Sequence, residues 1–202
     1  HDGKALQNGT SHYFGNGFAK AFDITFTNKD NQQEHPYQTS WGFTTRTIGG
    51  VIMTHGDNSG LVLPPRIAPI QAIVIPISQH KLGVCDKAQE LLELLRGAGI
   101  RAKADFSEQS PGWKFAEYEM KGVPLRIEIG PKDIEANQCV AVRRDTGEKT
   151  AIAISDLATA VPELLETIQN SMFHKAKDNL DRKTFSATTV EEVKAIVEAN
   201  HG

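Results

Sequence analysis

Cysteine is scarce in this sequence: two residues in 202, Cys85 and Cys139, far apart and outside any Cys-x-x-Cys spacing. That count excludes a disulfide framework and argues against a cysteine-based zinc site, leaving both thiols as small apolar side chains in a reducing compartment. No apolar run approaches the roughly 20 residues of a membrane-spanning helix, so no membrane partner is expected. No charged-then-apolar leader opens the chain, and a cytoplasmic location is expected. His1 is not a natural start, so the sequence reads as a piece of a longer protein. Charge of one sign is missing too: 22 Lys and Arg against 25 Asp and Glu give a formal net charge of −3. A protein that bound nucleic acid with its whole surface would be basic, so any such binding must use a local patch. There is no internal repeat and no low-complexity segment. What remains, 39% hydrophobic and 23% charged residues, is ordinary for a soluble globular protein of one large or two small domains.

One stretch divides the chain: His55-Gly56-Asp57-Asn58-Ser59-Gly60-Leu61-Val62-Leu63-Pro64-Pro65-Arg66-Ile67-Ala68-Pro69. It reads as a tight polar turn, a short buried strand over Leu61-Val62-Leu63, then two prolines and an arginine. The prolines fix φ at successive residues, so an arginine behind them loses little freedom when its planar fork clamps a phosphate or carboxylate. Read alone, the same residues are better taken as a surface turn. His55 and Asp57 are better read as a helix end with a turn than as metal ligands.

Ahead of this stretch, Gly3, Gly9, Gly15 and Gly17 stand among Gln, Thr, Ser and His, which implies tight turns or close approach to a ligand. Phe22-Asp23-Ile24-Thr25-Phe26 alternates like a half-buried strand, residues 28–36 read as a solvated loop, and Tyr37 to Ser40 as the next strand. Trp41 beside Gly42 offers a flat wall next to bare backbone, a slot for a small ring, or else a core tryptophan. Thr45 to His55 predicts a helix with Ile48, Val51 and Ile52 as one buried stripe. Gly49 and Gly50 each weaken it by about 1 kcal/mol, which close packing would justify.

Beyond Pro69, Ala72 to Ile75 predicts a strand covered on both faces. A helix capped by Asp86 and Gln89 follows, with Ala88, Leu91, Leu92 and Leu95 as its stripe and Gly97 or Gly99 as its end. Ile100 to Asp105 is the next strand, and Pro111 to Met120 a second helix closed by Gly122. Leu125-Arg126-Ile127-Glu128-Ile129 alternates with its leucine and isoleucines inward. Residues 138–144 and 150–154 form a hairpin across Asp145-Thr146-Gly147-Glu148. This is a compact mixed sheet with helices. A long helix with Leu164, Leu165, Ile168 and Met172 buried, and a final one capped by Thr189 and Glu192, complete the chain.

Three blocks carry a family resemblance: Ala5-Leu6-Gln7-Asn8-Gly9-Thr10-Ser11-His12, Tyr37-Gln38-Thr39-Ser40-Trp41-Gly42-Phe43-Thr44-Thr45-Arg46, and His55 to Pro69. In order and spacing they resemble the class II aminoacyl-tRNA synthetases in the prolyl-tRNA synthetase form, with His55 to Pro69 similar to motif 3. The resemblance covers essentially the whole chain and is strongest over residues 2–133. It departs from the family at Gly15-Asn16-Gly17-Phe18, where Gly-Gln-Asn-Phe is usual, so residues 15–17 are left out of the site.

The resemblance implies an α/β (α+β) fold in three parts. Residues 1–69 would be the second half of an antiparallel catalytic sheet, 70–155 a mixed five-stranded anticodon-binding domain, and 156–202 the helical start of a truncated C-terminal domain. It implies Arg66 as the catalytic arginine on the γ-phosphate, and Gln7, Thr10, His12, Trp41, Gly42, Thr44, Arg46 and His55 around ATP and proline. Glu119, Arg126, Lys132 and Asp133 would contact the anticodon, where carboxylates accept from guanine N–H groups and arginine serves guanine's acceptors. By local pattern alone those four read better as a solvated charged rim. The parent reaction forms prolyl-adenylate from L-proline and ATP with Mg²⁺, then transfers the prolyl group to tRNA with a proline anticodon. Positioning and charge stabilisation would carry most of it. A homodimer is implied, and no structural metal is expected, because the zinc-ligand cysteines of some members are missing. Neither motif 1 nor the motif 2 arginine is found, so the chain alone is not expected to make adenylate. Two other readings stay open: a non-catalytic tRNA- or RNA-binding or regulatory module with this fold, and a small-molecule sensor built on the glycine-rich half.

Overall fold

Alternation and helical periodicity dictate most of what forms here. The computed structural model describes residues 6–200; Gly3 and Ala5 of the glycine-rich run lie outside the described residues. Two units divide between Gly50 and Val51.

In the first unit, β1 (Gly9–Gly15) pairs antiparallel with β4 (Gln38–Phe43), Thr10 opposite Gly42 and His12 opposite Ser40. Between them come α1 (Gly17–Ala21) and the two-residue strands β2 (Phe26–Thr27) and β3 (Gln33–Glu34). The strand expected over Phe22–Phe26 is reduced to β2. Asp23 adopts φ 52 and the Ile24 N–H turns back to the Ala19 carbonyl at 2.8 Å, which breaks the extended run. The expected loop at 28–36 is instead a tight hairpin. The Asn28 carboxamide oxygen accepts from the Asp30 and Gln32 N–H groups, and its Nδ2 donates to Glu34.

Helix α2 (Arg46–His55) forms as the spacing requires, but its stripe is not buried: Ile48 is 63% and Ile52 45% exposed. A two-stranded ladder offers too little apolar surface to cover a helix, and Ala19 is the one buried residue among those described in the first unit.

The second unit is built on β5 (Ala72–Pro76), β6 (Ala102–Ala104), β7 (Leu125–Ile129), β8 (Gln138–Arg143) and β9 (Lys149–Ala153). They form the five-stranded mixed sheet expected, in the order β6-β5-β7-β8-β9. β5 runs parallel to β6 and β7, while β7, β8 and β9 are antiparallel neighbours. Helices α3 (Val84–Gly97), α4 (Pro111–Met120) and α5 (Pro131–Glu135) connect the strands. Helices α6 (Leu157–Arg182) and α7 (Val190–Asn200) follow the sheet.

The two faces of the sheet differ. On one, Ala72, Val74, Leu125, Ile127 and Ile129 share a core with Ala88, Leu91 and Leu95 of α3 and Leu157, Val161 and Ile168 of α6. Each fully buried Leu or Ile there stabilises by about 1.5–3 kcal/mol. On the other, Ile73, Ile75 and Val123 meet Phe115 and Tyr118 of α4. On this side buried residues of β7 alternate with partly buried ones, the Arg126 side chain 16% and that of Glu128 13% exposed.

Local details depart from the sequence reading in two places. The Asp86–Gln89 capping box does not form, because α3 starts three residues earlier behind Gly83, whose φ of 82 only glycine adopts cheaply. Asp86 instead sits in the first turn, where its charge suits the helix dipole. Leu61–Leu63 is not a ladder strand. It is an extended segment whose Leu61 and Leu63 N–H groups donate to the Met120 and Gly122 carbonyls, with Val62 buried. The capping box at the start of α7 does form: Thr189 Oγ1 accepts from the Glu192 N–H at 3.2 Å, and the Glu192 carboxylate accepts from the Thr189 N–H at 3.3 Å.

Candidate functional site

Four of the first-unit candidates meet at one corner. Gln7 Nε2 donates to Thr10 Oγ1 at 3.0 Å, and Arg46 Nη1, from the first turn of α2, donates to the Gln7 carbonyl at 3.2 Å. The Thr44 N–H reaches the Asn8 carbonyl at 3.4 Å. Gly50 stands close to Asn8, 3.5 Å from where its missing Cβ would lie, a packing reason for a glycine in this helix. The pairing register puts Thr10 and His12 on the same side of the ladder as Gly42 and Ser40. Trp41 faces the other side with Ser11, and at 78% exposure it is not a core tryptophan. Its indole and the Thr10–His12 side are therefore not brought together. Among the described residues, Asn8 Oδ1, Gln38 Oε1 and Thr47 Oγ1 are buried without a hydrogen-bond partner.

His55 and Arg66 belong to the second unit. Burial, helped by the charge of Lys175, lowers the His55 pKa. Arg66 lies on the expected double-proline turn, where the Ile67 and Ala68 N–H groups donate to the Pro64 carbonyl. Arg101 wraps that turn, donating to the carbonyls of Pro65, Arg66 and Ala68. The Arg66 guanidinium pairs with Glu166 of α6 at 2.8 Å, both side chains more than half exposed. Such a surface pair is worth about 0–1 kcal/mol, little obstacle to exchange for a phosphate.

The Asp57 turn is tied to the sheet. Arg144 Nη1 and Nη2 hold both carboxylate oxygens at 2.7 and 2.6 Å, and Arg144 Nε donates to the Glu119 carbonyl at 2.8 Å. The hydrogen bond from Arg144 is the main reason the Asp57 pKa falls from 3.8 to about 2. A depressed carboxylate stabilises above its unfolded pKa and loses that stabilisation as pH falls through the folded one. Asp57→Asn should therefore cost about 1 kcal/mol at neutral pH, after allowance for a half-exposed side chain. It should also flatten the stability curve between about pH 4 and pH 2. Urea denaturation at several pH values reads both, and an unchanged acid limb would count against the clamp.

Beside this clamp lies a cavity of about 200 Å³, room for about six waters, lined by Ile73, Tyr118, Glu119, Arg126, Arg144 and Lys149 among others. Glu119 comes from the last turn of α4, and Arg126 from the outward side of β7, as the alternation predicts. The Arg126 guanidinium stacks 4.1 Å over the Phe115 ring, and its Nε donates to Glu128 at 2.9 Å. A stacked, ion-paired guanidinium is pre-oriented and presents its remaining N–H groups in fixed directions. Burial, with the charge of Asp105, pushes the Tyr118 hydroxyl up to about 12, so it stays a neutral donor or acceptor.

Lys132 and Asp133 do not line this cavity. They sit in α5, beyond the far end of β7, and Gly130 there is four residues and about 13 Å along from Arg126. Asp133 is engaged locally, accepting the Gly130 N–H at 2.9 Å. Sequence reasoning missed Tyr118, Arg144 and Lys149. The hairpin spacing could have indicated Lys149, but nothing local signals that Arg144 reaches back to Asp57. Among the described residues no group of three or more His, Cys, Asp or Glu could hold a metal ion, and no helix is long and apolar enough to cross a membrane.

Comparison with known proteins bears on both units. Residues 71–164 match the family described as the anticodon binding domain. The chain is 58% identical over 194 residues to a proline–tRNA ligase of Lachnospira eligens, an alignment covering 96% of the chain and 40% of that protein. It is also 58% identical over 202 residues to that of Ruminiclostridium cellulolyticum, covering 100% of the chain and 42% of that protein. A proline–tRNA ligase of Clostridium botulinum is 56% identical over 202 residues. The chain thus spans about two fifths of the length of the curated relatives it matches.

Proposed function

Because the chain belongs to the proline–tRNA ligase family and carries an anticodon binding domain over residues 71–164, we propose that it is part of a proline–tRNA ligase whose residues 70–155 read the tRNA anticodon. The observation that carries this reading is the meeting of Glu119 and Arg126 at one cavity on the α4 side of the sheet. A proline anticodon presents two guanines, and an unpaired guanine offers N–H donors to a carboxylate and O6 and N7 acceptors to an arginine. Glu119 takes the donors and Arg126 the acceptors. Lys132 and Asp133 contact the neighbouring part of the loop from the far end of β7.

Residues 1–69 contribute to the catalytic site of the whole enzyme. Proline's carboxylate attacks the α-phosphorus of ATP, forming prolyl-adenylate and releasing pyrophosphate, and a ribose hydroxyl at the tRNA end then takes the prolyl group as AMP leaves. No side-chain nucleophile is required, so the residues act by positioning and charge. Gln7, Thr10, His12, Thr44 and Arg46 orient adenosine and proline, with Trp41, Gly42 and His55 at the margins. Arg66 exchanges Glu166 for the γ-phosphate. Mg²⁺ would enter with ATP as part of the substrate and would offset the charge of its phosphates. Residues 156–202 begin a further helical domain. The whole enzyme works as a homodimer in the cytoplasm.

Glu119→Gln and Arg126→Ala test the reading. Each should lose about 1–3 kcal/mol of discrimination between an RNA stem-loop with a proline anticodon and one with both guanines replaced. Equal discrimination by wild type and both variants would remove these residues from base recognition.

A further inference from the structure

We infer that Lys149 holds a backbone phosphate of the RNA segment whose base enters the Glu119–Arg126 cavity, an inference that rests on the anticodon reading above. The sheet register aligns the two cations. Ile73 of β5 pairs with Arg126 of β7, Arg126 with Val142 of β8, and Val142 with Lys149 of β9. Residues paired across strands share a face, so these four form one row. Lys149 stands two strands from Arg126, about 10 Å away, with Val142 as an apolar spacer.

Charge pairing singles out Lys149 among the cations lining the cavity. Arg126 is held by Glu128, Arg143 by Asp145, and Arg144 by Asp57. The Lys149 side chain is exposed and has no hydrogen bond or ion pair among the described residues. The carboxylates nearby do not claim it: Glu119 lines the same cavity, and Glu148 lies 3.9 Å from Arg143 Nη1.

Access is open along the same strand. β9 is the edge of the sheet, and the residues following Lys149 on its face are Ala151 and Ala153, both exposed. Two methyl groups make a low rim over which a phosphodiester can approach without displacing a bulky side chain. An ammonium on a flexible stem suits a phosphate as a point charge and carries no base preference. The cavity would thus specify the base, and Lys149 would fix the position of its backbone.

The test uses the whole 202-residue chain as wild type, Lys149→Gln and Lys149→Arg. Each is titrated over a salt series against an RNA stem-loop with a proline anticodon and one with both guanines replaced. Lys149→Gln should weaken binding several-fold and equally for both RNAs, and reduce the slope of log K against log salt by about 0.7. Lys149→Arg should restore both. An unchanged slope with discrimination intact overturns the role of Lys149 alone. Loss confined to the proline-anticodon RNA also overturns it, because Lys149 would then be reading a base. If wild type does not distinguish the RNAs, the anticodon reading fails while the slope still decides Lys149. If wild type binds neither RNA, both readings fall.

Discussion

Lys114→Ala is expected to destabilise the second unit by about 3–5 kcal/mol. The Lys114 side chain is 1% exposed, yet it carries an ammonium. Its Nζ donates to the Asp105 carbonyl at 2.9 Å and to Gln79 Oε1 at 3.2 Å, and lies 3.7 Å from Asp105 Oδ1. Burial works against an ionised Asp105, but hydrogen bonds from Ser107 and the charge of Lys114 outweigh it, and its pKa is lowered. Removing the ammonium leaves a carboxylate that is 10% exposed without its cation, and opens a cavity beneath α4. Lys114→Met combined with Asp105→Asn removes both charges at similar volume and should recover most of the loss. Urea denaturation of the three proteins reads the difference. A loss below about 1 kcal/mol for Lys114→Ala would mean that the ammonium is solvated. The same helix carries Tyr118 and Glu119 to the cavity and Phe115 to the Arg126 guanidinium.

Gly122→Ala should cost about 2–5 kcal/mol, the sum of a backbone and a packing penalty. Gly122 adopts φ 69, where a Cβ costs roughly 1–2 kcal/mol. That Cβ would also lie 2.6 Å from Leu61 Cβ and 2.7 Å from the Leu61 carbonyl carbon and oxygen. Backbone cannot swing aside as a side-chain tip can, so overpacking adds about 1–3 kcal/mol. The glycine is what lets the Gly60–Leu63 segment run beside the end of α4. Gly112→Ala is the control: it lies inside α4 with nothing within 4 Å of where a Cβ would sit, and should stabilise by about 0.5–1 kcal/mol. Thermal unfolding separates the two, and equal midpoints would contradict the close approach.

Periodicity made most of the second unit legible. The unbroken apolar run of β5, the stripe of α3 and the alternation of β7 each report one-dimensional spacing that survives folding. Alternation by itself also puts Arg126 on the outward side of β7. What spacing does not carry is contact between distant segments. Arg144 meets Asp57 across 87 positions, and Lys114 is buried because Gln79 and Asp105 satisfy it, which no pattern of apolar residues can signal. The stripe on α2 has the spacing of a buried helix but no second layer beside it. The resemblance grouped Glu119, Arg126, Lys132 and Asp133 as one set, whereas the fold sends the first two to the cavity and the last two to the far end of β7. At the first-unit corner the hydrogen bonds of Gln7, Thr10 and Arg46 depend on β1–β4 register, which composition cannot fix.

The most direct measurement is equilibrium binding of two tRNAs to the chain at one fixed salt concentration, one with a proline anticodon and one with both of its guanines replaced. Anticodon reading predicts that the first binds at least about tenfold more tightly. Equal affinity would contradict it.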